Sequence, residues 1–256
     1  MCITIFIKYS WYLRRYCRMK TIVCILSTLL CLHTALAFSA TITYRQDDGK
    51  SIVSETYGTY IQNGASSKAT AQVLETGGSM YYMLIRFPNI FGDGANQIPI
   101  GSTINSATLS LWTQYVSTST AKTHTVHRML VDWQETVTWS DLGYGGTPGT
   151  HYDATPFTTF TVYGGAPVEY TINVTSVLNG YSQQSYLNYG WYFIDTNLSW
   201  FAWWHSDDAA STIYRPLLSV DYTPPSIPEP PAVPEPLSII LFASCGSALF
   251  LKRLRK

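Results

Sequence analysis

Short stretches of alternating or β-rich residues, separated by Gly, Pro, Asn and Asp, dominate the chain between residues 38 and 223. This spacing predicts an all-β fold, an antiparallel jelly-roll-like β-sandwich. The predicted strands span residues 41–46, 59–63, 71–76, 81–87, 107–116, 124–130, 159–163, 168–174, 190–196, 199–204 and 217–223. Helical spacing of apolar residues occurs at 174–185, where we expect one or two turns crossing the end of the sandwich.

The part of the chain expected to fold, residues 38–224, contains no cysteine, since all five cysteines lie in the two terminal segments. A disulfide framework or a thiolate metal site is therefore excluded there. The chain is 46% apolar and only 12% charged, which excludes a disordered protein. Stability must come from burial of a hydrophobic core.

Charge is distributed unevenly along the sequence. Residues 38–224 contain seven Lys and Arg against fourteen Asp and Glu, a net charge of −7. An acidic body is not suited to nucleic acid, because binding to phosphates requires a basic face. The same charge disfavours an anionic polysaccharide unless a divalent cation bridges the two or the binding patch is locally basic, so a neutral glycan is the easier partner.

Both ends of the chain have the features of targeting segments. Residues 19–37 have a short basic start, an apolar run and Ala35-Leu36-Ala37, which predicts a secretory signal peptide within residues 1–37 that is cleaved after Ala37. Met19 is then the expected true start. The alternative is an N-terminal membrane anchor. The protein is therefore expected to be exported.

The C-terminal end has three parts. Residues 224–236 are predicted to be a proline-rich, stiff linker, and residues 237–251 an apolar transmembrane helix. Residues 252–256 are a basic tail that the positive-inside rule is expected to place in the cytoplasm. An ordinary tail anchor is one interpretation. The order of the three parts also resembles the PEP-CTERM sorting signal of bacterial envelope proteins. The matching residues are Pro234, Glu235, Pro236, Lys252, Arg253, Arg255 and Lys256.

The PEP-CTERM resemblance has consequences for location and partners. It implies recognition by a membrane protease-transpeptidase, an exosortase. It also implies removal of the apolar helix and delivery of a membrane-anchored precursor to the cell surface or the extracellular matrix. Whether the helix is cut or kept is left open by the residues themselves.

The body resembles the DNRLRE domain family over about residues 43–223. The resemblance is carried by GSMYYMLIRFPNIFG, IPIGSTINSATLSLW, DWQETVTWSDLG, NYGWYFI and RPLLSVDYT in that order. It implies a jelly-roll-like sandwich without catalytic machinery, related to carbohydrate-binding modules of bacterial enzymes. One departure from the family is FAWWHSDDAAS at 201–211, where relatives carry a plainer, Ser-rich segment.

That departure supplies the candidate carbohydrate site. On a strand, Phe201, Trp203 and His205 face one side, whereas Trp200, Ala202 and Trp204 face the other. One set must enter the core, and the other set is either available to stack on sugar rings or packed beneath a loop. The predicted carbohydrate-binding residues are Trp203, Trp204, His205, Asp207, Asp208 and Trp112.

A second candidate site is a Ca²⁺ clip. The oxygen-rich loop at 45–51 contains Asp47 and Asp48, which suit Ca²⁺; the alternative is a β-turn with solvated carboxylates.

Catalysis has little support. His124 and His127 lie on opposite faces of a strand, and Arg86 is expected to pair with an acidic residue. The carboxylates Asp132, Glu135 and Asp141 cluster around two tryptophans and could mimic a glycosidase pair, but the resemblance to the DNRLRE family implies that they are structural.

The sequence therefore predicts an exported, non-catalytic surface module that binds extracellular polysaccharide. The alternative is a structural matrix or adhesin-type protein that recognises other proteins or itself. The chain is not predicted to be an enzyme.

Overall fold

The computed structural model describes residues 38–47, 55–78, 80–165, 167–195 and 200–226. The predicted signal peptide, Asp48, residues 227–236 of the linker, the apolar segment 237–251 and the basic tail lie outside these residues. Within the described residues, no helix is long and apolar enough to cross a membrane.

Antiparallel β-structure forms the body, as the alternation predicts. The strands are β1 (Ala40–Tyr44), β2 (Tyr57–Gln62), β3 (Val73–Gly77), β4 (Tyr81–Arg86), β5 (Thr103–Val116), β6 (Lys122–Arg128), β7 (Thr158–Val162), β8 (Glu169–Asn173), β9 (Trp191–Asp195), β10 (Phe201–His205) and β11 (Leu217–Thr223). Each corresponds to one predicted strand. A helix, α1 (Thr175–Ser182), follows β8 within the predicted helical segment.

The strands form one curled sheet, in which the long strand β5 connects two parts. The N-terminal portion of β5 pairs with β11 and β8, and β1 pairs with β11. The C-terminal portion of β5 pairs with β10, which continues the sheet through β3, β4, β9, β6 and β7, with β2 beside β4. Each of these strand pairs is antiparallel.

The main core packs on one face of this sheet, which we call the inner face. It contains Leu109 and Leu111 of β5, Trp191 and Phe193 of β9, and Trp204 of β10, all fully or almost fully buried. Helix α1 adds Val177, Leu178 and Tyr181, and the Tyr181 hydroxyl donates to the Gly190 carbonyl oxygen at 3.0 Å. The helix therefore closes one end of the core, as its apolar spacing predicts.

A second, smaller core lies on the opposite face of β2, β4 and β9. There Ile61, Leu84 and Tyr192 are buried beneath residues 129–152, which we call the covering segment. Trp133 in this segment donates from its Nε1 to the Tyr189 carbonyl oxygen at 2.7 Å. The segment DWQETVTWSDLG therefore packs, as irregular backbone, over one part of the outer face of the sheet.

Strand β5 does not keep a single in-and-out alternation. Leu109, Leu111 and Thr113 are buried as predicted, but Tyr115, expected on the same face, is 44% exposed. The pairing with β10 shifts register, because Trp203 lies opposite Tyr115 while Trp204 lies opposite Thr113. Gln114 is the extra residue of a β-bulge, which turns the following side chain to the other face. The prediction for Tyr115 was therefore wrong.

Candidate functional site

The two faces of β10 separate as its alternating sequence predicts. Ala202 and Trp204 have 0% exposure and Trp200 is also buried, whereas Phe201 and Trp203 are 38% and 37% exposed. His205 is half-buried on the same outer side. One set of side chains thus belongs to the core, and the other lies on the outer face of the sheet.

Six aromatic side chains lie side by side on this outer face, and we call them the aromatic strip. They are Phe201, Trp203 and His205 of β10, Trp112 and Tyr115 of β5, and Tyr214 of a short 3-10 helix at Thr212–Tyr214. The ring of Trp203 lies 5.2 Å from that of Tyr115 and 6.0 Å from that of Phe201. Tyr214 stacks on His205 at 4.9 Å and meets Trp112 edge-on at 5.3 Å.

The rings of the strip do not share one plane. Interplanar angles are 30° between Phe201 and Trp203, 42° between Phe201 and Tyr115, and 49° between Tyr115 and Trp203. The exposed surface is therefore a row of tilted rings, as expected for side chains on a twisted and bulged pair of strands.

Trp204 does not belong to this surface. Its indole Nε1 donates to the Thr76 hydroxyl at 3.0 Å, and that hydroxyl is 2.9 Å from His124 Nε2. The His124 ring is buried among Trp204, Trp200 and Phe160, and burial lowers its pKa to about 3. Trp204 therefore offers no ring face to a ligand; it is a core residue, and His124 is its neutral partner.

Asp207 is also buried, at 3% exposure, and it forms an unusual carboxyl pair with Glu135. The two side chains hydrogen bond to each other, and the Gly58 amide donates to Glu135 Oε1 at 3.2 Å. A Cβ at Gly58 would lie 2.3 Å from Asp207 Oδ1, so only glycine leaves room for this carboxyl group. The pair joins the covering segment to the residues after β10.

The surroundings of the pair favour its protonated form. Burial, together with the neighbouring charge of Glu135, raises the pKa of Asp207 to about 9. Burial also raises the pKa of Glu135, which accepts the hydrogen bond from Asp207. Asp207 Oδ1 has no hydrogen-bond partner among the described residues. Asp207 is therefore a buried structural residue, whereas the neighbouring Asp208 is exposed at the surface.

The carboxylates of Asp132 and Asp141 bind neighbouring groups of the protein. Asp132 forms the expected ion pair with Arg86, whose guanidinium also donates to the Trp133 carbonyl oxygen at 2.8 Å. Asp141 accepts hydrogen bonds from the amide and hydroxyl of Thr138 at 2.9 and 2.7 Å. These contacts agree with the structural interpretation of both carboxylates.

Asp47, predicted as a Ca²⁺ ligand, lies in an ion pair with Arg215. The other predicted ligand, Asp48, lies outside the described residues, so the Ca²⁺ site stays a prediction. Among the described residues, no group of three or more His, Cys, Asp or Glu side chains is arranged to hold a metal ion.

The two histidines of β6 are both buried, and they lie on opposite faces of the strand. His124 lies in the main core, as described above, whereas His127 meets the Tyr152 ring at 5.1 Å in the second core. His127 Nδ1 lies 2.7 Å from the Asp153 carbonyl oxygen. The separation predicted from their spacing is confirmed.

Sequence reasoning missed Tyr115 and Tyr214 as members of the strip. Tyr115 was assigned inward because nothing in the sequence marks the bulge. Tyr214 lies nine residues after His205, and only the chain path back to β10 brings the two rings together.

Comparison of the chain with family models gave no match, and no curated protein matched it either. The resemblance to the DNRLRE family and to the PEP-CTERM signal therefore stays a prediction.

Proposed function

We propose that this protein is a non-catalytic module that binds polysaccharide through the aromatic strip. The observation that carries the proposal is the contiguous set of partly exposed rings centred on Trp203, Tyr115 and Phe201. Sugar rings have apolar C–H faces that pack on aromatic rings, and their hydroxyls hydrogen bond to polar groups at the border. Gln114 and His205 supply such groups at the strip.

The tilt of the rings favours an individual glycan chain over a flat crystalline surface. Angles of 30° to 49° between neighbouring rings prevent all three from contacting one plane at once. A single chain whose sugar rings rotate along its length follows such a surface better. We therefore expect soluble or hydrated polysaccharide to be the partner.

The finer features of the fold and of the location belong to the same proposal. They comprise the jelly-roll-like sandwich of the DNRLRE type, export behind the signal peptide, and sorting to the bacterial surface by an exosortase acting on Pro234-Glu235-Pro236. A binding module at the cell surface has direct access to extracellular polysaccharide, which is consistent with the proposed ligand.

The second candidate is a matrix or adhesin-type protein that recognises itself. The same exposed rings support it, because an exposed apolar patch is also a surface for protein contacts. This candidate predicts association between copies of the chain and no retention by glycans.

The test is retention of the purified full-length chain in native gels containing soluble polysaccharides, with and without Ca²⁺. We expect retention for the wild type and its loss in Trp203→Ala and Tyr115→Ala. The matched control is Tyr144→Ala, which removes an exposed tyrosine of the covering segment that is not part of the strip. No retention on any polysaccharide would refute the proposal. Concentration-dependent sedimentation that disappears in Trp203→Ala would then support the second candidate.

A further inference from the structure

Carboxylates border the aromatic strip on both sides. Across β10 and β3, Trp203 lies directly opposite Glu75, and across β5 and β8, Trp112 lies directly opposite Glu169. Directly opposite residues of an antiparallel pair have their side chains on the same face, about 5 Å apart at Cβ. Each half of the strip therefore has one acidic neighbour on its own face.

These two carboxylates are available to different degrees. Glu169 is exposed and forms no salt bridge within the part of the chain that the structure describes. Glu75 is half-buried, receives a 3.4 Å hydrogen bond from the Tyr60 hydroxyl and is attracted by Lys68. Glu169 is thus the more available of the two, beside Trp112.

Among the described residues, no Lys or Arg side chain lies over a ring of the strip. The cation–π contacts of the described residues lie elsewhere, with Lys68 over Tyr60, Arg86 over Tyr57 and Trp133, and Arg128 over Tyr186. The strip therefore combines π-faces and nearby carboxylates without a cation from the described chain.

Aromatic faces next to carboxylates are a favourable environment for an ammonium group. The ring quadrupole attracts a cation, and a carboxylate adds a charge-assisted hydrogen bond. The net charge of −7 over residues 38–224 attracts the same ligand at longer range.

We infer that the glycan bound by the strip carries free amino groups, as in a polymer of amino sugars whose nitrogens are not acetylated. Sugar C–H faces pack on Trp203, Tyr115 and Trp112, and ammonium groups lie near Glu169 and Glu75. This inference rests on the proposed polysaccharide binding and names the chemical class of the ligand.

The experiment compares two glucosamine oligomers of equal length, one with free amines and one fully N-acetylated. Binding to the purified full-length chain is measured by calorimetry at mildly acidic pH, where the amines are protonated. We expect the free-amine oligomer to bind roughly tenfold more tightly, with an affinity that falls as salt is raised. A glucuronic-acid oligomer is expected to bind more weakly than either.

Two variants locate the charge recognition. Glu169→Gln and Glu75→Gln are expected to reduce the preference for the free-amine oligomer without abolishing binding of the acetylated one. Asp93→Asn is the matched control, because it removes an exposed carboxylate in the 88–101 loop, outside the strip. The preference is expected to remain in that variant.

The outcomes separate this inference from the proposed function. Equal or tighter binding of the acetylated oligomer, or a preference that both Gln variants leave intact, overturns the inference while polysaccharide binding stands. A free-amine preference that Asp93→Asn lowers as much as Glu169→Gln also overturns it, since the attraction would then come from overall charge. Absence of binding to any oligomer or polysaccharide overturns both.

Discussion

Two parts of the outer sheet face are rich in aromatic residues, but the described part of the chain covers only one of them. Over β4 and β9, Tyr82 stacks on Trp139 of the covering segment at 5.4 Å, and Tyr192 packs on Tyr152 at 4.8 Å. Over β10 and the end of β5, Trp203 and the other rings of the strip contact one another and remain partly exposed.

The difference lies in what each face packs against. A covering segment stabilises the fold, because it removes aromatic surface from water. An uncovered aromatic face gives up that stabilisation and carries a risk of association. If the proposed ligand binds, it would contact the rings of the aromatic strip as the covering segment contacts the rings over β4 and β9.

The largest expected effect is a difference in the free energy of unfolding between substitutions on the two faces of β10. Trp204→Ala is expected to lower the free energy of unfolding by about 3–5 kcal/mol, since it empties a fully buried site and removes the bond to Thr76. Trp203→Ala is its control and is expected to cost less than about 1 kcal/mol. Chemical denaturation of both variants measures the difference. Equal losses would mean that Trp203 packs as core.

The covered face gives the second effect. Trp139→Ala is expected to lower the free energy of unfolding by about 1–3 kcal/mol, because it removes the ring stacked on Tyr82. It should also make Tyr82 accessible, which chemical labelling of that tyrosine, read by mass spectrometry of its peptide, measures. If unfolding and labelling match those of Tyr144→Ala, the covering segment does not protect this face.

A smaller, pH-dependent effect on stability is expected for the carboxyl pair of Asp207 and Glu135, which joins the covering segment to the residues after β10. Because burial raises the folded-state pKa of Asp207 to about 9, the folded protein retains this proton to higher pH than the unfolded chain, whose aspartates have an ordinary pKa near 3.8. The folded state thus binds more protons between these values, so the contribution of Asp207 to stability is full at acidic pH and is lost as pH rises toward 9.

Asp207→Asn tests this linkage, since the amide resembles the protonated carboxyl group in shape. We expect the variant to be more stable than the wild type by on the order of 2 kcal/mol at about pH 8, with little difference at about pH 4. Thermal unfolding across this range measures it. A variant that is destabilised equally at both pH values would show that the pair does not share a proton.

The smallest expected effect is on the open face. Tyr115→Ser is expected to change the free energy of unfolding by no more than about 0.5 kcal/mol, because the side chain is 44% exposed and its backbone pairing is retained. A loss of 2 kcal/mol or more in denaturation would instead make the strip part of the structural core.

The sequence predicted the strands and the two faces of β10, because both depend on period-two alternation, which is local. It also predicted the pairing of Arg86 with an acidic residue, since an arginine inside an apolar strand needs a counter-charge. It did not predict which tryptophan is exposed, because alternation gives relative faces and only packing decides which face is the core.

The carboxyl pair was beyond prediction for a different reason. Glu135 and Asp207 are far apart in the sequence, and each is ordinary in its local context. Their contact depends on the covering segment crossing Gly58 in β2, a tertiary arrangement with no local signal. Long-range contacts of this kind determine pKa values, and short motifs do not report them.

The bulge at Gln114 makes this part of β5 tolerant of a change in chain length. Loss of that codon would restore simple alternation and leave Tyr115 on the outer face, because it would then follow the inward-facing Thr113 directly. In a regular strand, a one-residue deletion would exchange the two faces, whereas here the aromatic strip could persist through a single in-frame deletion.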